Sequence, residues 1–391
     1  MRDEIYGTLL CACRERGGEC MEPFPYDIED EAFSALLEAG YSHGVVPHLY
    51  RWSLSSGTME KVSEGDNFSL LKSHYTNNLK RNLQLFSETI RISELFSRAE
   101  IPHIVFKGAI LSYILWGDIS MRQFGDIDIL IEKERIDEAM ALLEREGYRQ
   151  REDEVPPYLR ERWREVHKEV ELLHMDKKID IDLHYDLLDG DCPLPSPADT
   201  IWRERRTIDV GTGMLDTISP EWNAVYLSIH GSRHIWQRIG WISDLDTLLR
   251  RKDLDWDKIA EIYDLHGFGE MVLFGFAVCR RYLATPFGEE FSSLLESRES
   301  LHERLFEDVE RCWRGECDSI RRLGVIVKLL PDRSSRFAYI FKVLFRPTRV
   351  EFRMVGLPKL LYPLYYPIRI LSLPLRKMRS IGRSIVPKKV S

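Results

Sequence analysis

An α/β (α+β) fold, with a small mixed sheet flanked by helices and helical regions at both ends of the chain, is what the sequence predicts. Three observations carry that expectation. Apolar residues recur at helical spacing on either side of a central segment, residues 100–217. Inside that segment lie short runs such as "DIDILIE" and "KIDIDLHYDL", in which apolar and polar residues alternate as they do on strands. The chain has 391 residues, 44% hydrophobic and 30% charged, which places it among soluble globular proteins able to bury a substantial core.

Residues 1–99 form an N-terminal helical domain in this reading. "DIEDEAFSALLEAGYSHGVVPHLY" opens with acids at a helix start, and "NFSLLKSHYTNNLKRNLQLFSETIRISELFSRAE" is a longer amphipathic helix. At Ile101 the pattern changes. "IPHIVFKG" reads as a strand entering a glycine turn, "AILSYILW" as a buried helix, and "DIDILIE" as a second strand. "KERIDEAMALLEREGY" places Ile136, Ala139, Met140 and Leu143 on one helical face and closes at Gly147. A small helix follows around "PPYLRERWREV", then a hairpin of "KEVELLHM" and "KIDIDLHYDL" turning through Asp176-Lys177-Lys178. After a loop rich in Pro, Asp and Ser, "RRTIDV" and "MLDTI" make another hairpin across Gly211-Thr212-Gly213, ending the α/β domain near residue 217. Ser219-Pro220-Glu221 is a strong helix start, with Ser as cap and Pro in the first turn. Residues 218–330 form a C-terminal helical domain, and 331–391 a basic tail containing several prolines.

The net charge of −8 is unevenly spread: from Arg333 onward the tail carries fourteen Lys/Arg and one acid, +13, leaving −21 on the body. So acidic a body excludes a general nucleic-acid binder, and no specific nucleic acid is expected as a partner. Seven cysteines, odd in number and scattered, suit reduced thiols in a cytoplasm. Cys11, Cys13 and Cys20 match no zinc spacing. The start of the chain lacks the long apolar core of a secretory signal, and no apolar stretch reaches the roughly 18 residues of a membrane span. A cytoplasmic location is therefore expected.

The chemistry is expected where acids interrupt apolar strands. Residues two apart on a strand share a face, so Asp126 and Asp128 project together while Ile127, Ile129 and Ile131 face the core. Asp180, Asp182 and His184 likewise share one face, and Ile179, Ile181 and Leu183 the other. If the two strands are neighbours, three or four carboxylates converge, and like charges so crowded demand neutralisation. Mg²⁺ (or Mn²⁺) takes such oxygen ligands while holding substrate phosphates, the arrangement that two-metal phosphoryl or nucleotidyl transfer requires. Gly108, at a strand-to-helix junction, lets backbone amides approach phosphate oxygens. Lys107 and Arg122 add positive charge suited to a triphosphate. An Asp-x-Asp pair alone also arises as a solvated strand edge; the combination of turn, helix, Arg, acid pair and later acidic strand selects the catalytic reading.

The stretch "FKGAILSYILWGDISMRQFGDIDILIE" resembles the signature of the uncharacterised nucleotidyltransferase family within the polymerase-beta-like superfamily. Lys107, Gly108, Arg122, Asp126 and Asp128 stand in its Lys-Gly, Arg and Asp-x-Asp places. "IDLHYDL" resembles a later Asp-Leu-His segment, which assigns Asp182 as the third metal carboxylate. "IHGSRHIWQRIGWISDLDTLL" resembles a His-rich helical segment, and "LEAGYSHGVVPHLY" an N-terminal helical one, so the likeness spans most of residues 25–275. Lys107-Gly108-Ala109 stands where the superfamily usually has a Gly-Ser turn whose Ser helps hold a phosphate. The resemblance implies a nucleotidyltransferase-type sheet and Mg²⁺-dependent transfer of a nucleoside monophosphate from an NTP to an unknown hydroxyl-bearing acceptor, with release of pyrophosphate. Asp126 and Asp128 would bind the metals, Asp182 would complete the site and orient the acceptor hydroxyl, and Lys107, Gly108 and Arg122 would position the triphosphate. The alternatives are phosphotransfer or toxin-type use of the same site, and a non-catalytic nucleotide-binding or membrane-associated scaffold.

His230 and His234 lie four apart on a helix and share a face, a zinc signal that lacks a third ligand. Either they pack within the helical domain, or their helix borders the nucleotide or acceptor pocket. In the second case His234 contributes to nucleotide binding, Trp236 or Trp241 is available for stacking, and Asp244 and Asp246 are nearby. The tail "GLPKLLYPLYYPIRILSLPLRKMRSIGRSIVPKK" is broken by prolines. It either straps onto the acidic body or lies peripherally on an anionic membrane surface or partner. Complementary charge, and the cost of irregular backbone against lipid, favour the strap.

Overall fold

In the computed structural model, which describes residues 2–14, 29–55, 66–151, 157–188, 192 and 194–372, helices α1 (Arg2–Arg14), α2 (Asp30–His43), α3 (Val46–Ser55) and α4 (Asp66–Arg98) precede the first strand. On α4 the buried positions Asn82, Leu85, Thr89, Ile92 and Phe96 recur every three or four residues, which gives one continuous inward stripe. The chain then runs through β1 (His103–Phe106), α5 (Gly108–Trp116), β2 (Asp126–Ile131), α6 (Ile136–Arg145), β3 (Tyr148–Gln150), α7 (Arg160–His167), β4 (Glu169–His174) and β5 (Ile179–His184). The five strands form one mixed sheet in the order β1-β2-β5-β4-β3. β2 and β5 pair in parallel at its centre, and every other pairing is antiparallel. The expected hairpin through residues 176–178 is the β4–β5 pair. The edge strand β3 was not anticipated, since three residues are too few to show alternation.

Strand alternation divides the core. Ile127, Ile129, Ile131, Ile179, Ile181 and Leu183 point to one side, against Ile92 and Phe96 of α4 and Ala139 and Leu143 of α6. Each such side chain removed from water stabilises the fold by about 1.5–3 kcal/mol. From the opposite face Ile104, Phe106 and Leu130 join a larger cluster that takes in α1–α3 and the C-terminal helices. After α8 (Ala198–Glu204), β6 (Arg206–Asp209) and β7 (Met214–Thr217) make the second expected hairpin. Ser219 caps α9 (Pro220–Arg233), its hydroxyl accepting from the Trp222 amide at 3.2 Å. Helices α10 (Ile239–Leu249), α11 (Trp256–His266), α12 (Gly269–Leu283), α13 (Glu289–Ser297) and α14 (Glu299–Trp313) follow. α15 (Ser319–Leu329) completes the expected helical domain, and the helical character continues into the tail through α16 (Arg333–Phe345) and α17 (Arg349–Met354).

Two expectations need correction. Cys312 and Cys317 are joined as a disulfide, whereas all seven cysteines were read as reduced; Cys11, Cys13, Cys192 and Cys279 are free. The reason is local: Gly315, at φ +81°, turns the chain sharply after α14 and brings the two Cα atoms to 4.4 Å. Trp236, offered as a stacking platform, is wholly buried. Its indole lies where a Cβ on Gly231 would stand 2.5 Å away, so glycine in the neighbouring helix makes its berth and no ligand reaches it. Cys20 and the basic cluster after residue 372 lie outside the described residues.

A buried carboxylate ties α4 to the sheet. Glu88 accepts from the Tyr148 hydroxyl of β3 at 2.8 Å, from Arg91 at 2.7 Å and from Lys177 in the β4–β5 turn at 2.8 Å. Burial works to raise its carboxyl, but the Arg91, Lys177 and Tyr148 hydrogen bonds outweigh it and hold the pKa at about 2, below the ordinary 4.5. A depressed carboxylate stabilises the fold above its unfolded value, and that stabilisation, about 3 kcal/mol, is lost as pH falls from about 4.5 toward 2. Glu88→Gln is expected to cost roughly 2–3 kcal/mol at neutral pH and to flatten the acid limb of the profile. Urea unfolding at a series of pH values checks both, and an unchanged acid limb would contradict the assignment.

Candidate metal centre

The parallel register of β2 and β5 sets Asp128 opposite Asp182 and Asp126 opposite Asp180. All four side chains project to the face away from the isoleucine layer, as the alternation requires. The strands thereby meet the condition on which convergence depended. Among the described residues, the group whose ligand atoms all lie within 4.8 Å of one another is Asp128, Asp182 and His184. Asp126 shares the face but falls outside that group. Asp180, at the rim, is taken by Arg151 at 2.8 Å.

Asp128 is nearly inaccessible and has two partners on one oxygen. The Lys107 ammonium donates to its Oδ1 at 2.8 Å, and His184 Nε2 lies 3.0 Å from the same atom. Burial alone would raise this carboxyl; the Lys107 charge and His184 beside it hold it well below the usual carboxylate range. Burial opposes the charge on Lys107 as well, but Asp128 and then Tyr226 outweigh it and leave the ammonium firmly protonated. His184 follows the same pattern, with burial working against its charge and the Asp128 hydrogen bond raising it above its ordinary value. Its Nδ1 lies 3.6 Å from Glu169. Asp182 is left differently. Burial pushes it up to about 7 against the pull of His184, and the charges of Asp128 and Asp126 add to the rise. Asp126 is raised by burial first and by Asp128 second. Part of the neutralisation expected from a metal is thus supplied by Lys107 and His184, while Asp126 and Asp182 keep raised carboxyls.

That imbalance is the test of fit for a divalent cation. Two carboxylates and a histidine that must shed its proton to ligate converge, and Asp182 is a half-buried acid with no hydrogen-bond donor aimed at it among the described residues. Such a donor set suits a hard or borderline divalent ion. His184 was placed on the correct face by strand alternation, but it was not counted as a ligand. The observed triad therefore contains a nitrogen that the three-aspartate set lacked.

The turn after β1 is built around strain. Lys107 has φ +56° and ψ −150°, a region usually left to glycine, and Gly108 follows at φ +43°. The lysine is held there by its ion pair with Asp128, and α5 begins directly after the turn. Arg122 reaches this turn, but not as a free cation. Its guanidinium donates to Asp244 of α10 at 2.9 and 3.0 Å and to the Gly108 carbonyl at 2.9 Å. Buried Asn82 of α4 donates in turn to the carbonyls of Ile119 and Arg122. Arg122, expected at the phosphates, thus braces the glycine turn between α4 and α10. A long-range partner 122 residues away leaves no mark on local sequence.

Helix α9 lines the other side. The Lys107 ammonium lies 5.4 Å from the Tyr226 ring, and Tyr226 packs on Phe106. His230 follows one turn later; its ring is 4.7 Å from His234 and 4.8 Å from Trp241. Burial, and after it the Lys107 charge, drives His230 well below its ordinary pKa, so it is neutral. The two histidines pack against each other and against Trp241, and they join no metal cluster among the described residues. Trp241 is half-buried, with the Arg238 guanidinium 5.6 Å from its ring. Asp246 belongs to the core, bound to Arg250 and Thr285. The signal for Tyr226 in the sequence is its spacing of four from His230, which puts both on one helix face.

A family model described as an uncharacterised nucleotidyltransferase matches residues 29–284, a span that holds the sheet, the acidic cluster and α9–α12 and leaves out the basic tail. Among curated proteins no match is found.

Cation binding should follow the protonation of the cluster. A carboxyl at about 7 keeps its proton below that pH, so a cation must displace it there and its affinity falls as pH drops. Stabilisation by excess Mn²⁺ in thermal unfolding is therefore expected to grow from about pH 6 to about pH 8 and to vanish in Asp182→Asn. An equal, pH-independent shift in wild type and variant would contradict the assignment.

Proposed function

The chain belongs to the uncharacterised nucleotidyltransferase family, and from that premise we propose that the Asp128–Asp182–His184 site moves a nucleoside monophosphate from an NTP to an acceptor hydroxyl. The observation that carries this reading is the β2–β5 register, which brings Asp128 and Asp182 side by side beneath the Lys107–Gly108 turn. In the proposed reaction the acceptor oxygen bonds to the α-phosphorus, the bond from that phosphorus to the bridging oxygen breaks, and pyrophosphate leaves. The hydroxyl proton passes to Asp182, which orients the acceptor. Asp128, Asp182 and His184 would hold Mg²⁺ or Mn²⁺, with Asp126 alongside, and the ion would supply neutralising charge for the phosphates and acidify the hydroxyl.

The remaining roles fall to the chain's own groups. The amides opening α5, at the turn formed by Lys107 and Gly108, would receive phosphate oxygens. Lys107, balanced against Asp128, sits where it also meets the triphosphate charge. Arg122 and Asp244 keep that turn in place. Trp241, half-buried beside His230 and His234, offers a face for the base.

A second reading has its own support. Lys107 and His184 already satisfy Asp128, as a non-catalytic nucleotide-binding site on this fold would require. One assay separates the two. With Mn²⁺ or Mg²⁺, α-labelled NTPs and a small-molecule extract as acceptor source, the enzyme is expected to release pyrophosphate and label an acceptor. Asp128→Asn should lower that turnover on the order of a hundredfold. Nucleotide-induced stabilisation without any pyrophosphate release would favour the binding protein.

A further inference from the structure

From α16 onward the protein turns apolar side chains outward. On α16 the exposed positions Phe337, Phe341 and Leu344 follow at helical spacing, so the solvent face of this helix is its greasy one; Phe337 is 71% exposed. The Phe341 and Phe345 rings stack at 4.6 Å. Val350, Met354 and Val355 are exposed in and just after α17, and Leu360, 92% exposed, with Leu361 and Leu364 in the 3₁₀ turn Lys359–Leu364. Ile370 and Leu371 continue the series. Surfaces of this kind on a lone soluble protein mark a docking site.

These segments are anchored, so the exposure does not come from loose chain. Phe352 and Tyr365 pack with Leu159 and Trp163 beside α7. Glu351, fully buried, accepts from the Thr348 amide and hydroxyl and from Ser372 at 2.6 Å. Burying Glu351 also removes the only acid from a stretch that carries fourteen Lys/Arg between Arg333 and the last residue. Arg333 and Lys359 stand exposed among the apolar residues, and Lys342 and Arg346 help line an aromatic cavity of about 190 Å³ with Phe341, Phe345 and Tyr362. Apolar and aromatic residues mixed with exposed cations such as Arg333 and Lys359 match the layers of an anionic bilayer surface, with acyl chains beneath and phosphates above. No helix among the described residues is long and apolar enough to cross a membrane.

We propose that the face formed by α16 and residues 350–371 docks the protein peripherally on anionic lipid. This inference is independent of the chemistry assigned to the acidic cluster. The test is flotation of the full chain with vesicles of phosphatidylcholine alone, or with roughly a third of it replaced by phosphatidylserine. Wild type is expected to float with the anionic vesicles only, and to be released by about 0.5 M salt. The triple variant Phe337→Ser, Phe341→Ser, Leu344→Ser and the double variant Arg333→Gln, Lys359→Gln should each lower the bound fraction several-fold, and the double variant, whose two side chains are exposed, should melt with wild type. Absence of wild-type flotation at low salt would overturn the proposal, as would unaltered binding by both variants. So would light scattering that shows a wild-type dimer, lost in the triple variant, without vesicle binding; that result would assign the face to a second copy of the chain.

Discussion

Two aspartates held side by side by a parallel strand pairing are the constraint on which the rest of this structure depends. Asp128 and Asp182 come from segments more than fifty residues apart, and the β2–β5 ladder makes them neighbours. Buried acids at that spacing repel, and the fold answers with a lysine from the preceding turn and a histidine from the strand itself. The answer is incomplete. Asp128 becomes a firm anion, whereas Asp182 keeps a raised carboxyl. A site that is half-compensated in this way is compatible with one more cation.

Much of the surrounding architecture serves to fix the turn that delivers Lys107. The positive φ values at Lys107 and Gly108 cost on the order of 1–3 kcal/mol for the lysine and persist only because the surroundings over-determine them. The Lys107–Asp128 pair pulls from below, and the Arg122 guanidinium grips the Gly108 carbonyl from the side. Asp244 of α10 and Asn82 of α4 hold Arg122. The turn is therefore clamped between an N-terminal helix, the sheet and a C-terminal helix. The helices around the sheet are in this sense part of the site, because without them the strained lysine has no reason to stay.

What the sequence made legible follows from the range of each interaction. Strand alternation identified β2 and β5, the inward isoleucines and the outward acids, since a period of two is written in consecutive residues. The Ser219 cap and the β4–β5 turn are equally local, and both are found. The brace that Arg122 forms was invisible, because Asp244 reaches it only through the packing of α10. Trp236 and Trp241 looked alike as aromatic residues. Gly231, which opens space for one of them in the core, decides which is buried, and a glycine in a helix does not announce its neighbour. The Cys312–Cys317 pair depended on a turn at Gly315, too short a feature for a count of cysteines to reveal.

The acidic cluster and the basic, apolar tail lie at opposite ends of the charge distribution, and only the first falls within the span shared with the family. The proposed chemistry requires the cluster to take a cation at the place its geometry indicates. Anomalous diffraction from crystals grown with Mn²⁺ measures that directly. The expected result is a manganese peak within bonding distance of Asp128, Asp182 and His184, with Lys107 displaced from Asp128. Crystals that show no peak there, with the Lys107–Asp128–His184 contacts intact at saturating manganese, would contradict it.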